Sequence, residues 1–342
     1  MAHMRDDAAR AAHRAAVLGA GSWGTALAIH LSTAGHDVVL WGRDHTLMAA
    51  MAAQRVNPTY LAELPFPSSL TVSADLTTAL ANVRYVVLAV PSHGLRALLR
   101  LAVPHVPVGA ILVSATKGLE ADTMASMSQV MTEETRGLHP VVVLSGPSFA
   151  AEVARGLPTA LVAASRDEHA VRSVQEEFRG KAFRLYASDD VVGVEIGAAL
   201  KNVIAIAAGM VQSMGLGHNA TSALITRGLA EISRLAFAMG GRRETLSGLS
   251  GLGDLVLTCT GGLSRNRHVG MELGRGRTLA EILAGMKMVA EGVRTTSVAL
   301  SLAQAHGIEM PIVAKMQDVL EGRRLPAEAV ADLMGRPQKS EH

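Results

Sequence analysis

"AAVLGAGSWG", residues 15–24, decides the fold. A short apolar run, Ala15 to Leu18, enters a Gly-x-Gly-x-x-Gly sequence. Helical patterning follows from Thr25 to Ala34, and a second strand begins at Asp37. Alone, such a glycine pattern is weak evidence, because glycine turns are common; set between a strand and a helix inside a βαβ spacing, it is the fingerprint of a dinucleotide site. Gly19 permits the tight turn, Gly21 lets backbone approach a pyrophosphate, and Gly24 allows the helix to pack closely. The helix N-terminus offers amides to the anion.

Outward from this unit the pattern repeats. "DVVLWGR", "YVVLAVP", "AILVSAT", "VVVLSGP" and "TALVAAS" are further short apolar runs, separated by amphipathic stretches such as Leu95 to Leu101 and Thr123 to Arg136. Continuous apolar strands alternating with helices predict a parallel sheet covered on both faces. The expected architecture is therefore α/β: a Rossmann-type, doubly wound, mostly parallel sheet, then an all-helical C-terminal domain. Strand signals cease near residue 188, where Ser188-Asp189-Asp190 supplies an N-cap cluster for a long helix. The expected division is a disordered or cloning-derived extension over 1–14, a dinucleotide-binding domain over 15–188, a helical substrate domain over 189–336 and a tail over 337–342.

In open α/β sheets the ligand crevice lies beyond the carboxyl ends of the strands. Arg43 follows the second strand there, in "VVLWGRD", and suits a 2′-phosphate, which points to NADP; Asp44 beside it keeps NAD open. "SATKGLE" brings Lys117 to another strand end, and "LSGPSFA" brings the Gly146-Pro147-Ser148 turn to the next.

Two stretches in the helical half carry chemistry. In "GAALKNVIAIAAGM", residues 197–210, Lys201 and Asn202 stand alone as strongly polar side chains in an apolar helix. Such a lysine either snorkels to water or serves chemistry. In "LSGLGDLVLTCTGGLSRNRHVG", residues 249–270, Asp254 precedes an apolar run, while Ser264, Arg265 and Asn266 present donors suited to a small anion.

Composition closes off other classes. With 32 Lys+Arg against 30 Asp+Glu and no basic-aromatic interleaving, nucleic acid is not an expected partner. Cys259 is the only cysteine, so no intrachain disulfide forms, and no zinc site built on paired cysteines is possible. The 13 histidines lack i, i+4 pairing, and no metal is expected. The N-terminus lacks the apolar core of a signal peptide, and the apolar segment around Lys201 reads as too short and too interrupted by Gly215 and Gly217 for a membrane span. A cytoplasmic protein is expected.

"GAGSWGTALA", "SATKGLE", "LSGPSFAAEV", "EIGAALKNVIAIAAG" and "GLGDLVLTC…SRN", in this order and spacing, resemble the bacterial NAD(P)-dependent glycerol-3-phosphate dehydrogenases, from roughly Ala15 to Leu320. The resemblance implies reduction of dihydroxyacetone phosphate to sn-glycerol 3-phosphate, a precursor of phospholipids, in a homodimer. It makes Lys201 the catalytic lysine and Lys117 a contact to both cofactor and substrate. Gly146, Ser148, Asp254, Ser264, Arg265 and Asn266 match substrate positions, with Arg265 also near cofactor. Ser22, Trp23, Arg43, Ala150, Val289 and Glu291 match cofactor positions; the last two rest on resemblance alone.

Chemistry supports the same assignment of Lys201. Hydride delivery to a ketone leaves an alkoxide that needs a proton, and an apolar setting lowers a lysine pKa toward the range where it serves both directions. Lys117 would polarise the carbonyl, Asp254 would orient an ammonium or a hydroxyl, and Asn202 would bind substrate. NADPH is expected to be preferred, with NADH also used. Two other readings stay open: a β-hydroxyacid dehydrogenase, in which the helix lysine and asparagine are typically a turn apart rather than adjacent, and a non-catalytic NAD(P)-sensing protein.

Overall fold

The computed structural model of the 342-residue chain describes residues 12–286, 290–338 and 340. Eight strands form one sheet: β1 Arg14–Leu18, β2 Asp37–Trp41, β3 Leu70–Ser73, β4 Tyr85–Leu88, β5 Ile111–Ser114, β6 Val141–Ser145, β7 Thr159–Ala164 and β8 Phe183–Ser188. Their order is β3-β2-β1-β4-β5-β6-β7-β8, parallel throughout except that β7 runs antiparallel to β6. The chain winds outward from β1 in one direction and from β4 in the other, so the switch point lies between these two strands.

β3 and β8 are the two strands that apolar runs in the sequence do not mark. They are the sheet's edges and are exposed on part of their surface, so each needs apolar residues only at alternate positions. The central strands β4 and β5 are buried at every residue and carry the continuous apolar signal.

The sheet is covered by α1 Ser22–Thr33, α2 His45–Gln54, α3 Leu76–Leu80, α4 Ser92–Ala102, α5 Met127–Glu134, α6 Ala150–Ala154 and α7 Glu168–Glu177. Two apolar cores, one per face, contain Val17, Leu27 and Leu40 on one side and Leu18, Leu88 and Leu99 on the other. α5 is shorter than the expected helical stretch 123–136. Residues 115–126 instead form a loop pinned at Thr116, whose hydroxyl donates to Val90 O at 2.9 Å, and at Leu119, which enters the core of the helical half.

After β8 come α8 Val191–Ser213, α9 Gly217–Ala238, α10 Arg243–Ser247, α11 Asp254–Thr260, α12 Arg265–Gly274, α13 Leu279–Ala284, α14 Glu291–Ala305, α15 Pro311–Leu320 and α16 Pro326–Met334. Asp190 caps α8, its Oδ1 accepting from Gly193 N at 2.8 Å. α8 spans 23 residues, and every residue from Gly193 to Val211 is buried. Its length and apolarity would suffice to cross a membrane, contrary to the shorter segment read from sequence, but 89% of that window is buried inside the fold. An all-apolar helix is what the centre of a helical core requires, and each fully buried Ile, Leu or Val contributes roughly 1.5–3 kcal/mol.

The crossing of α8 and α12 explains several glycines. A Cβ on Gly209 would strike Arg267 O, and one on Gly270 would strike Ile206 O. The two helices meet backbone to backbone, which fixes Lys201 and Asn202 on one against Arg265 and Asn266 on the other.

Candidate active site

At the switch point the three glycines differ in their surroundings. Gly19 has φ +123°, and a Cβ there would sit 2.5 Å from Ala89 O at the end of β4. A Cβ on Gly24 would enter the Gly19 carbonyl. Around Gly21 nothing lies within 4 Å of that position, so the turn is open where a ligand must approach. No side chain among the described residues caps α1, leaving its positive end for an anion. Ser22 and Trp23 start that helix, and Trp23 Nε1 is buried with no partner among the described residues. This geometry fits a dinucleotide pyrophosphate.

Arg43, just beyond β2, is exposed, and among the described residues its side chain makes no hydrogen bond or ion pair. Asp44, which kept the ribose alternative open, is instead the N-cap of α2: its Oδ1 accepts from Leu47 N at 3.0 Å. The cation is uncommitted, while one oxygen of the Asp44 carboxylate is taken by the helix cap.

The remaining residues converge from both halves of the chain. Lys201 is 6% exposed; its Nζ donates to Asp254 Oδ1 and, at 2.7 Å, to Thr258 Oγ1. Lys117 reaches the same carboxylate from the loop after β5, donating to Asp254 Oδ2 at 2.7 Å and to Gly146 O at 3.0 Å. Ser148 Oγ donates to that same Gly146 carbonyl at 3.0 Å. Gly146 has φ +138° and lies against Leu161, so the turn after β6 is held in a shape that favours glycine. Asp254 itself is 1% exposed and enters from a π-helical turn, Leu249–Gly253, that precedes α11. Such turns are uncommon and concentrate at functional sites.

Burial sets the electrostatics. It pushes the Lys201 ammonium down from 10.5 to about 8, helped by the charge of Lys117 and opposed by Asp254. Burial would raise Asp254, but the two lysines outweigh it and hold the carboxyl below its usual range. The cluster is a carboxylate clamped between two ammonium groups, one of them poised near neutrality.

On α12, Ser264 is the N-cap, its hydroxyl accepting from Arg267 N at 3.2 Å. Arg265 is exposed, and among the described residues it has neither an ion pair nor a hydrogen bond from its guanidinium. Asn266 Nδ2 donates to Asn202 Oδ1 at 2.9 Å, and its Oδ1 accepts from Gly292 N at 3.0 Å. The carboxamide of Asn266 is thus engaged at both ends, with one N–H left over.

Glu291 starts α14, and its carboxylate accepts from Ser92 N at 3.2 Å and Ser92 Oγ at 2.7 Å, joining the helical half to the start of α4. Ala150 is the first residue of α6. Val289 lies outside the described residues. Sequence reasoning missed Thr258, which sits one helical turn after Asp254 and takes a hydrogen bond from Lys201; the i, i+4 spacing from Asp254 was the available signal. It also missed Ser92, whose partner is 199 residues away.

Comparison with known proteins gives a consistent family. The model of the NAD-dependent glycerol-3-phosphate dehydrogenase N-terminus matches residues 14–171, and that of the C-terminus matches residues 190–331. A protein of Koribacter versatilis named glycerol-3-phosphate dehydrogenase [NAD(P)+] is 53% identical over 96% of this chain and 98% of its own. One of the same name from Syntrophotalea carbinolica is 53% identical over 95% and 98%. The crystal structure of glycerol-3-phosphate dehydrogenase from Coxiella burnetii superposes with a TM-score of 0.91 at 41% identity, covering 95% of this chain and 99% of that one.

Proposed function

The chain belongs to the NAD-dependent glycerol-3-phosphate dehydrogenase family and is an NAD(P)-dependent oxidoreductase, and we propose that it reduces dihydroxyacetone phosphate to sn-glycerol 3-phosphate with Lys201 as its proton donor. The observation that carries this reading is the buried Lys201–Asp254–Lys117 cluster at the end of the cofactor crevice.

NAD(P)H, when bound, supplies the hydride. The Gly19–Gly24 turn and the start of α1 would hold its pyrophosphate, with Arg43 at the ribose 2′-position. Substrate lies beyond, with its carbonyl oxygen at the lysines. As that oxygen gains negative charge, the Lys201 ammonium gives it a proton; the neutral amine accepts one in the reverse direction. Lys117 stabilises the growing charge, because a cation already fixed in place pays no reorganisation as the charge develops. Asp254 keeps both ammonium groups aimed, and Thr258 fixes the rotamer of Lys201. The uncommitted guanidinium of Arg265 takes the substrate phosphate, and the spare N–H groups of Asn266 and Asn202 add neutral donors.

The product is a glycerophospholipid precursor, and the working unit is a cytoplasmic homodimer with residues 15–188 as cofactor domain and 189–336 as substrate domain. A panel of carbonyl substrates, followed by absorbance of the reduced nicotinamide, tests the function. Dihydroxyacetone phosphate should be turned over, with unphosphorylated dihydroxyacetone and β-ketoacids far slower. Arg265→Ala should weaken the phosphorylated substrate by about ten- to a hundred-fold and dihydroxyacetone much less. Equal losses on both would remove Arg265 from the phosphate, and no turnover of any substrate would favour the NAD(P)-sensing reading.

A further inference from the structure

Asn57 lies in the loop between α2 and β3, far in sequence from the glycine turn, and has no exposed surface. A buried carboxamide needs partners at both ends. Asn57 Nδ2 donates to Ala20 O at 3.0 Å and to Thr25 Oγ1 at 2.8 Å, while its Oδ1 accepts from Thr59 N and Tyr60 N, each at 3.2 Å. Ala20 precedes Gly21 and Thr25 is the fourth residue of α1, so the side chain grips the turn on both flanks of its open glycine.

The loop that carries Asn57 is itself anchored. Arg55 Nη1 donates to Leu70 O at 2.7 Å, Phe66 N donates to Arg55 O at 2.7 Å, and Leu61 and Phe66 are buried in the core of the sheet.

Gly19 and Gly24 are hemmed in by neighbouring backbone, whereas nothing lies within 4 Å of where a Cβ on Gly21 would sit, so this glycine, free of the usual side-chain limits on φ, is the point of the turn with least support from packing. We infer that Asn57 is a positioning residue for the dinucleotide: by holding the Ala20 carbonyl and the Thr25 hydroxyl, it keeps the peptide units around Gly21 in the shape that receives the pyrophosphate. The inference rests on the assignment of the glycine turn to the cofactor. When only a fraction of molecules holds the competent turn, apparent affinity falls by that fraction. Both cofactors share the pyrophosphate, so NADH and NADPH must weaken by the same factor.

The test is direct titration of the full chain with NADPH and with NADH, read by quenching of its two tryptophans, one of which, Trp23, is in the turn. Asn57→Ala should raise both dissociation constants about tenfold and equally, with KM following and kcat at saturation falling far less. Thr25→Val, which removes one acceptor and keeps the side-chain volume, should give a smaller rise of about threefold in both. In the double variant Thr25→Val should add less than about twofold to Asn57→Ala, because the hydroxyl acts through the same carboxamide. A purely structural role predicts a lower melting temperature with unchanged dissociation constants, and that result in folded Asn57→Ala overturns the inference. If Asn57→Ala does not fold, Thr25→Val with unchanged constants overturns it. Absence of quenching in the unmodified protein would overturn the cofactor assignment of the turn, and this inference with it.

Discussion

Lys201 carries a proton in the middle of an apolar helix because Asp254 is beside it, and it gives that proton up readily because burial and Lys117 oppose the charge. The pH dependence follows with a definite sign. If Lys201 donates the proton as proposed, kcat/KM for reduction should be flat below about 8 and fall about tenfold per pH unit above it, while kcat/KM for oxidation should rise about tenfold per unit up to about 8 and level off above. Asp254→Asn removes the group that raises the lysine, so the break in the reduction profile should move to lower pH; an unmoved break would separate Asp254 from the titrating group. Arg43 is the other residue whose role a single substitution isolates. Its guanidinium is uncommitted and Asp44 is used as a helix cap, so Arg43→Ala should raise KM for NADPH about tenfold and leave KM for NADH nearly unchanged. Equal weakening of both would place Arg43 on a part common to the two cofactors. Lys117, Lys201 and Asp254 were legible in the sequence because each interrupts an apolar run or ends a strand. Thr258, Ser92 and Asn57 were not. A small polar residue in a helix or loop has little local signature, beyond the i, i+4 spacing that links Thr258 to Asp254, and what gives these three a role is a partner far along the chain.

At the scale of elements, the site depends on one helix crossing and one short irregular turn. α8 supplies Lys201 and α12 supplies Arg265, and the two approach so closely that Gly209 and Gly270 have no room for a side chain. Gly270→Ala would drive a methyl group into Ile206 O, so it should destabilise the protein by about 2 kcal/mol or more and lower kcat together with the melting temperature. An unchanged melting temperature in a thermal scan would mean that the helices can part at little cost. The central strands and α8 were readable as elements because burial on all sides demands unbroken apolar sequence. The edge strands β3 and β8 and the π-helical turn before Asp254 were not, because an edge needs only alternate apolar residues and a π turn has no composition of its own. The same limit applies to residues 123–126, which read as the start of a helix but belong to the loop 115–126 that Thr116 and Leu119 hold as a strap across the two halves.

Over the whole molecule the proposed active centre forms only where the sheet and the helical half meet. Lys117 comes from the loop after β5 and Asp254 from the helical half; Glu291 reaches back to Ser92; Glu195 on α8 accepts from Ser128 N at 2.8 Å beside the Lys117 loop. The order of motifs along the chain announced this arrangement, but their distances apart in sequence, such as the 137 residues between Lys117 and Asp254, gave no hint of which pairs would touch. One substitution tests the central claim without disturbing this frame. In Lys201→Met, Asp254 keeps its pair with Lys117, so no buried charge is stranded and the fold should survive. The measurement is kcat for dihydroxyacetone phosphate reduction at saturating NADPH, with cofactor affinity followed by tryptophan quenching in the same samples. The account predicts a loss of roughly a hundred- to ten-thousand-fold in kcat with the dissociation constant for NADPH nearly unchanged. A kcat within a few-fold of the unmodified protein would contradict it, and would make Lys201 a buried structural cation rather than the group that moves the proton.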